Sequence, residues 1–140
     1  MPLTIDVLDE THARVVLDLL TNDGNQPVYN NYAPDNTAPP YLYVYSHVWW
    51  PGSGSDGQNF EGVTNQCVTR AYVHCVGETD EAARSLSNRV RQLLVNVKPV
   101  IAGRSCSLIQ QESSNTPEKD ERSGVLIMDA VASYLFTSNG

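Results

Sequence analysis

The feature that most constrains the fold is a single apolar stripe lying between strand-like stretches. Ala82, Ala83, Leu86, Val90, Leu93, Leu94 and Val97 recur at three- and four-residue steps, the spacing that gathers side chains on one face of an α-helix. Thr79 stands where an N-cap belongs, Asp80 and Glu81 occupy the first turn that the helix dipole favours for acids, and Pro99 ends the pattern. Arg84, Arg89, Arg91 and Gln92 line the other sides. Such a helix needs an apolar surface to lie on, and its two leading alanines let the first turn approach that surface closely. The strand before it offers one. Over Cys67 to Val76, Cys67, Thr69, Ala71, Val73 and Cys75 alternate with Val68, Arg70, Tyr72, His74 and Val76, and the first, smaller set suits a face covered by a helix.

The rest of the chain supplies partners for this pair. Leu8, His12, Val15, Val16, Leu19 and Leu20 mark an earlier helix that Asn22-Asp23-Gly24 stops. A short extended piece is expected at Gln26 to Tyr32, followed by the proline-rich stretch 33–40, which cannot join a central ladder. Tyr41 to Trp50 reads as a strand with Tyr41, Tyr43, Tyr45, His47 and Trp49 on one face and Leu42, Val44, Ser46, Val48 and Trp50 on the other. The last unit reads as a hairpin of Ser105 to Gln111 with Gly124 to Thr137. Two long connections are expected, the glycine-rich 51–66 and the polar 113–122, each longer than folding requires. The expectation is therefore one α+β domain over 1–140: a mostly antiparallel sheet of four to five strands with two helices packed on one face.

Charge narrows the function. The net charge is −7, from 16 acids against 9 bases. Residues 1–66 carry Asp6, Asp9, Glu10, Asp18, Asp23, Asp35, Asp56 and Glu61 against the lone base Arg14, so the whole excess of −7 falls there. Tight binding to duplex DNA needs clustered lysine and arginine to release counterions, and this chain offers no such cluster. Its apolar runs are a few residues long, as at Val15 to Leu17, so no membrane span is expected, and the N-terminus lacks the pattern of a secretory signal. Cys67, Cys75 and Cys106 are an odd set without CxxC spacing. On one strand the first two would stand about 27 Å apart at about 3.4 Å per residue, so buried free thiols are expected.

The residues hold little that resembles catalytic chemistry. His12, His47 and His74 show no HxH or HxxxH spacing, and neighbours on a strand point to opposite faces, so His74 and Cys75 do not serve one site directly. Gly52-Ser53-Gly54-Ser55-Asp56-Gly57 lacks the lysine of a phosphate loop and opens no helix. Asp129, an acid within an apolar strand, is expected to face solvent or an interface, or to pair with an arginine. No catalytic residue, metal or cofactor is expected. The aromatic stripe is expected to serve as an inter-subunit surface, because tyrosine and tryptophan are enriched at interfaces and base stacking would come with a basic groove that is missing here.

The run Arg70-Ala71-Tyr72-Val73-His74-Cys75-Val76-Gly77, the helix opening Glu78-Thr79-Asp80-Glu81-Ala82-Ala83 with Leu86, Val90-Arg91 and Leu94, and Met128-Asp129-Ala130-Val131-Ala132-Ser133-Tyr134 together resemble the tail terminator proteins of long-tailed bacteriophages. By element order the likeness runs from about residue 5 onward. It implies a structural virion protein, not an enzyme, assembled in the host cytoplasm and placed at the head–tail junction. It implies a hexameric ring that caps the tail tube, stops its polymerisation and joins it to the head-side connector or stopper. DNA would pass through the lumen without specific binding. Tyr43, Tyr45 and Trp49 are then expected at protomer contacts. Asp56, Phe60 and Glu61, with Glu118, Lys119, Asp120, Glu121 and Arg122, are expected at contacts between rings. A head-side stopper, a tail-tube subunit or a small ligand-binding or hydrolytic domain are the alternatives.

Overall fold

The computed structural model describes residues 5–34, 37–49, 66–122 and 125–139. Helix α1 (Ile5–Thr21) is followed by strands β1 (Val28–Asn30), β2 (Tyr41–Trp49) and β3 (Gln66–Gly77), helix α2 (Asp80–Leu94), and strands β4 (Ser105–Cys106), β5 (Gln110–Ser114), β6 (Glu118–Arg122) and β7 (Val125–Asn139). The strands form one seven-stranded sheet in the order β1-β2-β3-β7-β4, with β5 and β6 also paired to β7, curled into a half-barrel. The expected four to five strands were too few, and the sheet is mixed, because β1 runs parallel to β2. All the other pairs are antiparallel.

Register explains which face the helices take. Leu42, Cys75 and Ala130 stand in one row across β2, β3 and β7, with Val44, Val73 and Ala132 in the next and Ser46, Ala71 and Tyr134 beyond. These rows are small or aliphatic on β3, so helices can come close. Val16, Leu17 and Leu20 of α1 and Ala83, Val90 and Leu94 of α2 bury against them in one core. Each fully buried aliphatic side chain contributes about 1.5–3 kcal/mol relative to exposure, so this layer is the main source of stability. Both helices lie on this face, as their stripes require.

At its N-terminus α2 begins as its sequence dictates, with Thr79 Oγ1 accepting from the Ala82 backbone N–H at 3.1 Å. Its C-terminus comes earlier than the stripe suggests. Asn96 adopts a left-handed conformation (φ 65°) and donates its N–H to the Ile109 carbonyl, while Ile109 N–H donates to Val97. Val97 still packs on the core, from an extended segment instead of a helical turn.

Residues 113–122 are the larger correction. Ser113 and Ser114 end β5, and β6 pairs with β7 from Glu118 opposite Asp129 to Arg122 opposite Val125. The long strand β7 has backbone groups to satisfy on both edges, and β3 takes only one. Hydrogen-bonding the other edge falls to β4, β5 and β6; the expected strand Ser105 to Gln111 is divided between β4 and β5, and 113–122 reads as a loop in the sequence because it has no apolar alternation. The other expected long connection, 51–66, lies outside the described residues except Gln66, which opens β3.

Candidate functional site

The face of the sheet away from the helices carries the residues singled out for function. Its rows read Tyr41, Val76 and Asp129; Tyr43, His74 and Val131; Tyr45, Tyr72 and Ser133; His47, Arg70 and Leu135; and Trp49, Val68 and Thr137. Adjacent rings in two of these rows stack. Tyr43 and His74 have centroids 4.0 Å apart at 12°, and Tyr45 and Tyr72 stand 4.9 Å apart at 22°.

His74 ties three strands together. Its ring stacks on Tyr43 from β2, and its Nδ1 lies 3.0 and 3.2 Å from the two carboxylate oxygens of Asp129 on β7. Asp129 thus pairs with a histidine, where an arginine was one expectation. Nearby, Arg70 forms a 2.7 Å ion pair with Glu112, and the Ser113 and Ser133 hydroxyls meet at 2.7 Å. None of these partnerships is legible from spacing, because they depend on the β3–β7 and β5–β7 registers.

The aromatic stripe divides into two parts. Tyr41 and Tyr43 are buried, packed with Val76, Ile127 and Ala33 into a second small core, with Tyr29 against it. Ala33 comes from the connection between β1 and β2, which therefore covers this end of the face. Tyr45 and Trp49, farther along β2, are 39% and 57% exposed. Of the three expected protomer contacts, two face solvent and Tyr43 packs within the protomer.

Of the expected inter-ring residues, Asp56, Phe60 and Glu61 lie outside the described residues. Glu118, Lys119 and Asp120 stand on β6 and, with Asn115, Thr116 and Asp129, border a shallow hollow of about 290 Å³. Glu121 and Arg122 complete the same strand, their side chains lying outside the described residues.

Sequence reasoning also missed a polar cluster at the other end of the sheet. His12 is fully buried against Ser138, with Nδ1 2.6 Å from the Leu8 carbonyl and Nε2 2.6 Å from Ser138 Oγ. A carbonyl only accepts, so Nδ1 carries the proton and Nε2 accepts from the Ser138 hydroxyl. Arg104 Nε donates to the same hydroxyl oxygen at 2.9 Å. Burial lowers the His12 pKa, against the opposing pull of the Leu8 carbonyl. The three thiols are buried as expected. Burial pushes Cys75 up to about 12 and raises Cys67 and Cys106, which keeps them protonated at neutral pH.

Among the described residues no group of three or more His, Cys, Asp or Glu side chains is arranged to hold a metal, and no helix is long and apolar enough to cross a membrane. No protein-family model matches the chain, and no curated protein matches it. Solved structures do share its fold. A chain from the virion of a native gene transfer agent particle aligns with a TM-score of 0.63 at 13% identity, over 90% of this chain and 92% of that one. A second solved chain, known only by a sequence identifier, aligns with a TM-score of 0.60 at 15% identity, over 91% of this chain and 89% of its own.

Proposed function

We propose that this chain is a structural protein of a phage-like virion, and that copies of it form a ring that caps the tail tube, stops its polymerisation and joins it to the head-side connector. The observation that carries this reading is the fold shared over nearly its whole length with a chain of the gene transfer agent virion. Three further features support it. The sheet exposes Tyr45 and Trp49 on one face, with His47 between them, a costly arrangement for an isolated domain and a useful one at a subunit contact. The net charge of −7 opposes adhesion of DNA passing through a lumen. Buried, protonated thiols suit a scaffold better than nucleophilic chemistry.

Electron microscopy of the purified protein by negative stain tests the reading. Closed rings of one size are expected. Long open cylinders would instead make it a tube subunit, and a strictly monomeric mass by light scattering at high concentration would overturn the ring. The double variant Tyr45→Ala with Trp49→Ala is expected to lose rings while keeping the thermal transition of the monomer. Tyr43→Ala, by contrast, should lower that transition, because Tyr43 packs inside the protomer.

A further inference from the structure

Among the described residues, the large apolar side chains left open to solvent gather along the two edges of the sheet. Tyr45 and Trp49 stand on β2 and Tyr32 just past β1. On the opposite side, Leu108 directly precedes β5, Leu126 faces β6 across the hairpin, and Val100 lies in the connection whose Asn96 and Val97 pair with Ile109. The face built by the helices shows no comparable exposure among these residues. The β2 edge also ends in an unfinished ladder. β1 pairs with β2 only as far as Val44. Leu42 N–H donates to Pro27 and the Val44 carbonyl accepts from Asn31, so even-numbered residues of β2 point their backbone groups outward. By the same alternation Ser46 and Val48 point theirs outward, where no strand among the described residues meets them. From Tyr45 to Trp49 this edge has no lysine, proline or bulge of the kind that usually blunts an exposed strand.

We infer that the occupant of this edge is β5 of a second copy of the chain, added antiparallel to β2 over Tyr45–Trp49. This inference rests on the ring reading above and specifies how its protomers join. Direction agrees, and the two strands share the three rows from Ser133 to Leu135. β2 opposes β3, β3 opposes β7 and β7 opposes β5, so β5 runs opposite to β2 within one protomer. Rotation about an axis along the strands preserves their direction, so β5 of one copy meets β2 of the next antiparallel. Tyr45 to Trp49 stand level, through β3, with Ser133 to Thr137 of β7, and β5 pairs with β7 over Ala132 to Leu135. β5 has five residues, as many as the stretch of β2 that no other strand among the described residues meets on its outer side, though its bulge sets them over four positions of β7. The bulge at Gln111/Ser113 coincides with Glu112, whose carboxylate reaches back to Arg70 in its own protomer. Contact between two different edges is head-to-tail, the kind that closes a ring, whereas β2 meeting β2 would stop at a dimer.

The test uses the full chain with His47→Cys and Gln110→Cys, exposed positions on β2 and β5 that stand in one row, and a short bis-maleimide. Cys67, Cys75 and Cys106 are at most 7% exposed, so the unsubstituted protein sets a low background. The double variant is expected to give a covalent ladder on denaturing gels. A mixture of the two single variants should give only dimers, and each alone only monomers. Covalent dimers from His47→Cys alone would overturn the assignment in favour of a symmetric β2 contact. Rings by electron microscopy with no ladder would overturn the edge pairing and leave the ring standing. Monomers alone, by light scattering, would remove the ring and the edge pairing together. As a second arm, Val48→Pro deletes one outward N–H from an edge strand. Loss of rings with the monomer's thermal transition retained is expected, and rings that persist count against the pairing.

Discussion

Tyr134 carries its ring into the helix-covered core, 1% exposed, with no hydrogen-bond partner for its hydroxyl. Burial also raises its pKa, so the group stays neutral. A buried hydroxyl without a partner costs about 1–3 kcal/mol. Tyr134→Phe is therefore expected to stabilise the protein by about 1 kcal/mol, read as a higher urea midpoint; a lower midpoint would mean the hydroxyl has a partner. His12 gives the opposite kind of prediction. Its folded pKa lies below the 6.5 of the free side chain, chiefly because burial penalises the charged form, with Arg104 adding to the penalty and Asp9 opposing it. On acidification the unfolded chain takes up this proton first. The stabilisation is thus complete above pH 6.5 and is lost as the pH falls from there through the folded value. Thermal melts between pH 7.5 and 5.5 should show this fall, and His12→Gln should flatten it. A histidine in an apolar stripe reads correctly as a core residue from the sequence. Its partners Ser138 and Arg104 do not, because they lie more than ninety positions away in the chain.

At the scale of elements, the joint between β3 and α2 is the tightest point. A Cβ placed on Gly77 would come within 2.7 Å of the Ala83 backbone nitrogen and 2.9 Å of the Ala82 Cβ. Backbone cannot yield as a flexible side chain can, so Gly77→Ala should cost about 1–3 kcal/mol, measured by denaturation; a change near zero would mean that the helix shifts freely. The small residues at this junction are visible in the sequence, as are both helices and the central strands, because their periodicities come from burial on one face. Polar edge strands leave no such trace. β5 and β6 exist because β7 presents backbone groups to be paired, and residues such as Glu118 and Lys119 need only tolerate an extended backbone. The end of α2 was misplaced for a related reason: Val97 belongs to the apolar pattern and to the core, but Asn96 turns the chain to meet Ile109.

At the scale of the whole molecule, the described acids of residues 1–66 stand on α1 and in the turn that follows it. Glu10 and Asp18 are exposed on α1, while Asp23 forms a 2.6 Å ion pair with Arg89 of α2, which lowers its pKa and ties the turn after α1 to the second helix. If α1 faces the lumen of the proposed ring, Glu10→Gln with Asp18→Asn should leave ring formation unchanged and increase retention of duplex DNA in a low-salt mobility shift, since weaker repulsion is least screened there. Unchanged retention would place α1 away from the DNA. Composition alone determined an acidic chain with more acids than bases, and periodicity alone determined two helices over one face of a sheet, because amphipathic patterns follow from how residues partition between water and a core. Tertiary structure decided the rest. Register brought His74 to Asp129 and Arg70 to Glu112, and the β1–β2 connection buried Tyr41 and Tyr43 while leaving Tyr45 and Trp49 open. Those outcomes depend on which distant segments lie side by side, and a local pattern of residues carries no information about its neighbours in space.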